Sequence, residues 1–203
     1  DNGQRYKKRW PVLLNQELIQ KGFNTEIIED CLPGRTTNID DPQDGIHLNG
    51  AKVLKSSLLS HSPIDLVLLM LGTNDLKFRF QRTTENIADG IKELIQIVLN
   101  TNSGLGGWHD ANKSNLVVIC PPTLGEKSYD PKWINFKEWK GGLEKSKELH
   151  ISFEKVCSQM GVHLIDANEF CQSSSIDPIH WSKKMHLKFS ENLANIIDQK
   201  IKL

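Results

Sequence analysis

The chain has 203 residues, of which 38% are hydrophobic, and this is enough for one core but short for two. A single domain over residues 1–203 is therefore expected. Lys plus Arg and Asp plus Glu both number 25, so the formal net charge of zero predicts no attraction to nucleic acid or to anionic lipid. The expected partner is a small molecule, and the sequence leaves open whether the chain forms a homo-oligomer.

Neither a membrane span nor a leader is apparent in the sequence. No apolar run approaches the roughly 20 residues that a helix needs to cross a bilayer. The residues from Asp1 to Arg9 are polar rather than signal-like, which favours a cytoplasmic location.

No cofactor or metal is expected. The four cysteines are widely spaced and predict free thiols: Cys31, Cys120, Cys157 and Cys171. Five histidines lack the spacing of metal ligands: His47, His61, His109, His150 and His163. The glycine-rich residues 103–107 follow a predicted helix and precede a predicted strand, which is the reverse of a phosphate-binding loop, so a surface loop is favoured.

Strands and helices alternate along the chain. In chain order the hydrophobic pattern predicts a helix over 10–20, a strand over 25–29, a helix over 51–60, a strand over 65–71, a helix over 85–99, a strand over 115–120, a helix over 143–160, a strand over 162–166 and a last helix over about 190–201. Thr84 is the expected cap of the third helix. Near-continuous apolar strands between helices predict a doubly wound α/β fold with a parallel sheet. Active sites of such sheets lie beyond the carboxyl ends of the strands.

An amide follows the most apolar strand. Gly72 permits a tight turn, and the side chain of Asn74 could donate a hydrogen bond to an oxyanion above the sheet edge. The alternative is a turn in which Asn74 and Asp75 only cap the next helix.

A carboxylate and an imidazole follow the last strand. Asp177 precedes His180 by three residues, and Pro178 stiffens the turn between them, so the carboxylate can bind Nδ1 and leave Nε2 free as a general base. An ordinary ion pair in a loop is the alternative. His186 is expected to be structural.

The residues after the first predicted strand form a third candidate. A backbone N–H in the turn over residues 29–37 could donate to the same oxyanion, although ordinary loop chemistry explains the turn equally well. Placement of all three segments after strands of one sheet favours a distributed hydrolase site.

Four stretches together carry a family resemblance: residues 9–11 (RWP), 29–42 (EDCLPGRTTNIDDP), 65–75 (DLVLLMLGTND) and 177–180 (DPIH). On these stretches the chain resembles the SGNH (GDSL-type) hydrolases, in the arylesterase-like and acyltransferase-like branch. The resemblance implies a three-layer α/β/α sandwich with a flavodoxin-like sheet. It also implies Asp177 and His180 as catalytic residues, and Asn74 with the backbone of Cys31 as oxyanion donors.

The chain departs from the family pattern at two places. Cys31 stands where the family has a glycine, and its thiol is expected to narrow the pocket and perturb the turn. The Gly-Asp-Ser-Leu block with the nucleophilic serine has no counterpart in the sequence. We therefore expect the serine upstream of Asp1, on a strand that would be central in a flavodoxin-like sheet.

The expected function is hydrolysis of small or aryl carboxylic esters through an acyl-enzyme, with acyl transfer to an alcohol as a side activity. Ile179 and Trp181, which flank His180, are candidates for an apolar substrate wall, with core packing as the alternative for both. Two other hypotheses remain open: a non-catalytic SGNH-like binding module, and a site in which Cys31 is the nucleophile.

Overall fold

A parallel sheet forms the centre of the protein in a computed structural model that describes residues 5–105 and 112–201. The strands are β1 (Leu66–Leu69), β2 (Asn115–Cys120) and β3 (His163–Asp166), in the order β1-β2-β3. Both ladders are parallel, with Val67 opposite Leu116 and Val118 opposite Leu164. All six residues of β2 are buried, as expected for a strand covered on both faces.

Helices cover both faces of the sheet. The described helices are α1 (Trp10–Gln20), α2 (Gly50–Ser60), α3 (Thr84–Leu99), α4 (Phe136–Trp139), α5 (Gly142–Met160) and α6 (Lys183–Ile196), the last followed by a π-helical turn, Ile197–Ile201. Alternate residues of β2 point to opposite faces. Leu116 and Val118 pack in one core cluster with α3 and α5, whereas Val117 and Ile119 pack in another with α1 and α6. The predicted α/β/α sandwich with a parallel sheet is confirmed.

Two helix starts differ from the sequence prediction. Helix α3 is capped by Thr83, not Thr84, because the Thr83 hydroxyl accepts from the N–H of Asn86 and the Asn86 side chain accepts from the N–H of Thr83. Helix α6 begins at Lys183, well before residue 190, because the Ser182 side chain caps it. Its first turn is mostly polar and shows no apolar stripe, so the sequence pattern did not predict this start.

The predicted strand over residues 25–29 is extended but pairs in no ladder of the described residues. Ile27 nevertheless packs in the same cluster as Leu66 and Leu68 of β1. In a flavodoxin-like order this segment would border the central strand rather than β1. The central strand is expected upstream of Asp1, so pairing of residues 25–29 stays a prediction, and among the described residues β1 pairs with β2 alone.

Over the described residues, no helix is both long and apolar enough to cross a membrane.

Candidate active site

The Asp177–His180 pair lies in the loop between β3 and α6. Asp177 Oδ2 is 2.7 Å from His180 Nδ1. The other carboxylate oxygen, Oδ1, accepts from the backbone N–H groups of Ile179 at 2.9 Å and His180 at 3.1 Å. The carboxylate is thus fixed by its own turn, and it holds the imidazole with Nε2 directed away from the pair. This geometry fits a general base whose tautomer is set by the carboxylate.

The pair is open to solvent. The His180 side chain is 79% exposed and that of Asp177 is 45% exposed. Partial burial would raise the pKa of Asp177, but the hydrogen bonds from the His180 ring and from the two backbone N–H groups outweigh it, so the pKa of Asp177 lies below its usual value. Asp177 therefore stays charged over the range in which a histidine works as a base.

The loop that carries the pair is anchored on both sides. Ser174 Oγ accepts from the N–H of Asp177 at 2.8 Å and donates to the carbonyl of the same residue at 3.0 Å. On the other side, the N–H of Gly125, after β2, donates to the carbonyl of Pro178 at 2.8 Å. The Ser174 hydroxyl is therefore used to shape the loop.

No serine hydroxyl bonds to the His180 ring within the part of the chain that the structure describes. Ser62 and Ser114 precede β1 and β2, and so lie at the amino edge of the sheet, opposite the Asp177–His180 pair. The described residues thus bring a carboxylate and an imidazole together, and none of their serine hydroxyls is hydrogen-bonded to that imidazole.

Asn74 lies where the sequence predicts it, in a 3-10 turn (Asn74–Leu76) directly beyond β1. Gly72 precedes the turn with a φ of 118°, a backbone angle that favours glycine. Asn74 Nδ2 donates to the carbonyl oxygen of Arg35 at 3.2 Å. This bond uses one hydrogen of the amide and fixes its plane. The second hydrogen has no acceptor among the described residues.

Cys31 lies in the turn that follows the extended segment, and its N–H likewise has no acceptor in the described chain. Its φ is not in the left-handed region, so the turn accepts a side chain here without strain. The expected perturbation of the turn and the expected narrowing of the pocket stay predictions. Cys31 is exposed as a residue, but partial desolvation of its thiol and the neighbouring carboxylates of Glu29 and Asp30 raise the pKa of that thiol. A nucleophilic cysteine needs the opposite shift, which argues against Cys31 as the nucleophile.

Two ion pairs hold the turn around Cys31. Arg9, at the start of α1, binds both carboxylate oxygens of Glu29 at 2.6 and 2.5 Å. Arg35 Nη1 is 2.9 Å from Asp30 Oδ1. The first pair ties the segment before Cys31 to α1, and the second closes the turn on itself.

Contacts along the carboxyl edge of the sheet connect the three segments. Ile179 packs against the core cluster that contains Leu76 and Leu124. A methyl group built on Gly142 would lie 3.1 Å from Leu124 Cδ1 and 3.5 Å from the carbonyl oxygen of Leu76. Gly142 of α5 therefore lies close to both the turn after β1 and the loop after β2, and Ile179 of the loop after β3 packs against the same core cluster.

The two residues proposed as a substrate wall are engaged in packing. Ile179 contacts the core cluster described above. The centroid of the Trp181 ring lies 4.7 Å from the ring centroid of Phe189 and 5.6 Å from that of His186. Both are half-buried, so an edge of each stays exposed. His186 Nδ1 accepts from the N–H of Trp10 at 3.2 Å, which joins α6 to the start of α1.

Sequence reasoning missed two groups at this edge. Asn168 links β3 to the loop after β2, because its Oδ1 accepts from the N–H of Thr123 at 2.8 Å while its Nδ2 donates to Asp166 at 2.7 Å. The second group is a buried cluster of Thr37, Asp75 and Arg82. In the sequence this cluster is indicated by the charged Asp75 directly after Asn74. From sequence alone, such a residue cannot be distinguished from a helix cap.

Comparisons with known proteins agree with this architecture. Residues 1–193 match the family described as GDSL-like Lipase/Acylhydrolase. An arylesterase from Vibrio mimicus is 27% identical over 124 residues, which is 61% of this chain and 52% of that protein. The match therefore spans about half the length of this curated relative.

Solved structures are similar over most of the fold. The inhibitor-bound aryl esterase of M. smegmatis superimposes with a TM-score of 0.84 at 36% identity, covering 96% of this chain and 87% of that one. A carbohydrate acetylesterase from Sinorhizobium meliloti gives a TM-score of 0.82 at 36% identity, covering 96% and 86%. With the family match over nearly all of its residues, the chain belongs to the GDSL-like lipase/acylhydrolase family.

Proposed function

We propose that the protein is a serine-dependent carboxylic ester hydrolase in which His180 is the general base and Asp177 orients it. The observation that carries this proposal is the 2.7 Å contact between Asp177 Oδ2 and His180 Nδ1, in a loop that leaves the imidazole exposed. A structural ion pair has no need of an exposed ring, whereas a base that must reach a substrate does.

In the proposed first step, a serine Oγ attacks the carbonyl carbon of the ester while its proton passes to His180 Nε2. The charge that develops on the carbonyl oxygen is met by the free amide hydrogen of Asn74 and by the N–H of Cys31. Such donors stabilise the transition state more than the ground state, so they raise kcat. The intermediate collapses when the alcohol leaves with the proton from His180 and the acyl group stays on the serine.

In the second step, water attacks the acyl-enzyme, His180 takes its proton and returns it to the serine, and the acid leaves. The 79% exposure of the His180 side chain gives water ready access to this step, which favours hydrolysis over acyl transfer. Transfer to an added alcohol is expected only as a side reaction.

The nucleophile is proposed to be a serine on a further strand that pairs with the free edge of β1. Two observations support this placement. Among the described residues β1 pairs with β2 alone, and the extended segment 25–29 packs in the same cluster as β1 without bonding to it. A strand between them would end at the edge where Asn74 and Cys31 lie, and we propose that it lies upstream of Asp1, as the family resemblance implies.

The proposed substrates are small esters. The relatives are named an arylesterase and a carbohydrate acetylesterase, which suggests short acyl groups on aromatic or sugar alcohols. The chain's zero net charge fits a neutral substrate of this kind.

Hydrolysis of p-nitrophenyl acetate by the protein expressed from its complete reading frame tests the proposal. His180→Ala should reduce kcat by at least about 10³-fold, because the serine loses its base. His186→Ala serves as the matched control, since His186 lies in packing and should leave kcat within about twofold of wild type. Activity that survives His180→Ala would refute the assignment, and a wild-type protein that binds esters without turnover would favour a binding module.

A further inference from the structure

Asp75 is a fully buried carboxylate directly after the proposed oxyanion donor. Its side chain has no exposed surface, and it lies in the turn beyond β1. Thr37 donates to it twice, from the backbone N–H at 3.0 Å and from Oγ1 at 2.6 Å. Arg82 Nη1 donates to the same carboxylate at 2.7 Å. A buried charge with this set of donors is costly to disturb.

Arg82 is itself held in place. Its Nη1 also donates to Thr37 Oγ1 at 3.0 Å, and its Nη2 donates to the carbonyl of Asn86 in α3. Lys145 of α5 donates to the Arg82 carbonyl at 3.2 Å. Thr37, Asp75 and Arg82, which we call the clamp, therefore form a closed triangle that is tied to two helices.

The clamp joins the two loops that carry the proposed oxyanion donors. Adjacent residues Asn74 and Asp75 bind residues 35 and 37 of the turn after the extended segment. The bond from Asn74 to Arg35 is a single 3.2 Å contact, whereas the bonds at Asp75 are short, charged and buried. The bonds at Asp75 thus fix the distance between the two loops, and this distance determines where the weaker bond from Asn74 to Arg35 forms.

We propose that Thr37, Asp75 and Arg82 are positioning residues that set the orientation of the Asn74 amide and its distance from the N–H of Cys31. The inference rests on the proposed function, in which both groups donate to the oxyanion. A clamp of this kind acts through Asn74 and touches no substrate, so its loss lowers kcat and leaves KM unchanged.

Thr37→Val tests the clamp with little change in shape. It removes the hydroxyl that donates to Asp75 and accepts from Arg82, and it keeps the backbone N–H. In the protein expressed from its complete reading frame, kcat should fall about tenfold with KM within about twofold. Thr37→Ser keeps the hydroxyl and should restore kcat to within about threefold of wild type.

Ser114→Ala is the matched control. Ser114 Oγ forms an equally buried bond of 2.8 Å with Ser103, but at the amino edge of the sheet. Its loss should lower the melting temperature by an amount similar to Thr37→Val and leave kcat within about twofold of wild type. A kcat loss as large in Ser114→Ala as in Thr37→Val would overturn the proposal, because it would assign the effect to stability.

A double-mutant cycle tests whether the clamp works through Asn74. In an Asn74→Ala background the donor is absent, so Thr37→Val should change kcat by less than about twofold. An undiminished tenfold loss in that background would overturn the proposal, as would a wild-type kcat in Thr37→Val alone.

A measurement without turnover separates this inference from the proposed function. If the wild-type protein hydrolyses no ester, the proposed function fails, and exchange of the Asn74 side-chain amide with solvent, followed by NMR, still reports on the clamp. Exchange several-fold faster in Thr37→Val than in wild type supports the clamp. Equal exchange rates in the two proteins refute it.

Discussion

A substitution at Gly90 of α3 can displace the Thr37 hydroxyl of the clamp. A Cβ built on Gly90 of α3 would lie 2.1 Å from Thr37 Oγ1 and 2.7 Å from Asn38 Oδ1. Since a Cβ atom essentially never comes within 3.0 Å of a non-bonded heavy atom elsewhere in the protein, Gly90→Ala must increase the distance between this Cβ and the Thr37 hydroxyl by about 0.9 Å, the difference between 3.0 and 2.1 Å. That distance is enough to break the 2.6 Å bond to Asp75.

The expected result is a large loss of activity together with a loss of stability. A misplacement of about 1 Å at a catalytic group can cost roughly 10²-fold in rate, so we expect kcat of Gly90→Ala to fall by about 10- to 100-fold. Overpacking costs about 1–3 kcal/mol, and alanine returns about 1 kcal/mol through its helix propensity. Loss of the hydrogen bond to the buried Asp75 carboxylate adds about 1.5–3 kcal/mol. The net loss of about 1.5–5 kcal/mol lowers the melting temperature of a chain this size by about 3–20 °C.

The assay compares kcat for p-nitrophenyl acetate and the melting temperature of Gly90→Ala with those of Lys92→Ala. Lys92 is exposed on the same helix, and its replacement should leave both quantities near wild type. The reasoning is refuted if Gly90→Ala is more stable than wild type and keeps its kcat, because alanine would then act only as a better helix former.

Two further predictions concern Asn74 and His186. Asn74→Ala should lower kcat by roughly 10²-fold or more with a modest change in KM, as steady-state kinetics would show; a raised KM with unchanged kcat would assign Asn74 to substrate binding. Burial lowers the pKa of His186 from its ordinary 6.5. The unfolded chain therefore binds this proton more readily, and stability falls as pH drops below about 6.5. His186→Gln should flatten the dependence of melting temperature on pH between about 5 and 7, and an unchanged slope would contradict this.

Local pattern predicted most of the fold. The bounds of α1 and β2 agree with the prediction at every residue, because each is a single apolar segment with clear limits. The segment over residues 25–29 is less apolar, with two glutamates among its five residues, and its pairing depends on a neighbouring strand rather than on the segment itself. Sequence pattern thus predicted the path of this segment, whereas its pairing with the expected central strand stays a prediction.

The candidate site also contains some contacts that local sequence predicts and others that it does not. Asp177 and His180 are three residues apart, so their contact follows from local geometry and could be predicted. The bonds from Thr37 to Asp75 join residues 38 apart, and only the tertiary fold brings them together. Arg82 likewise gave no signal, because an arginine ahead of a helix is usually exposed.

The proposed oxyanion donor at Cys31, where the family resemblance implies a glycine, is a backbone group. A backbone N–H depends on the path of the chain and not on the side chain, and the φ at Cys31 is open to any residue. The path is fixed by Arg9 with Glu29 on one side of the turn and by Asp75 with Thr37 on the other. If the N–H of Cys31 donates to the oxyanion, as proposed, these anchors set its position, and the side chain at residue 31 does not.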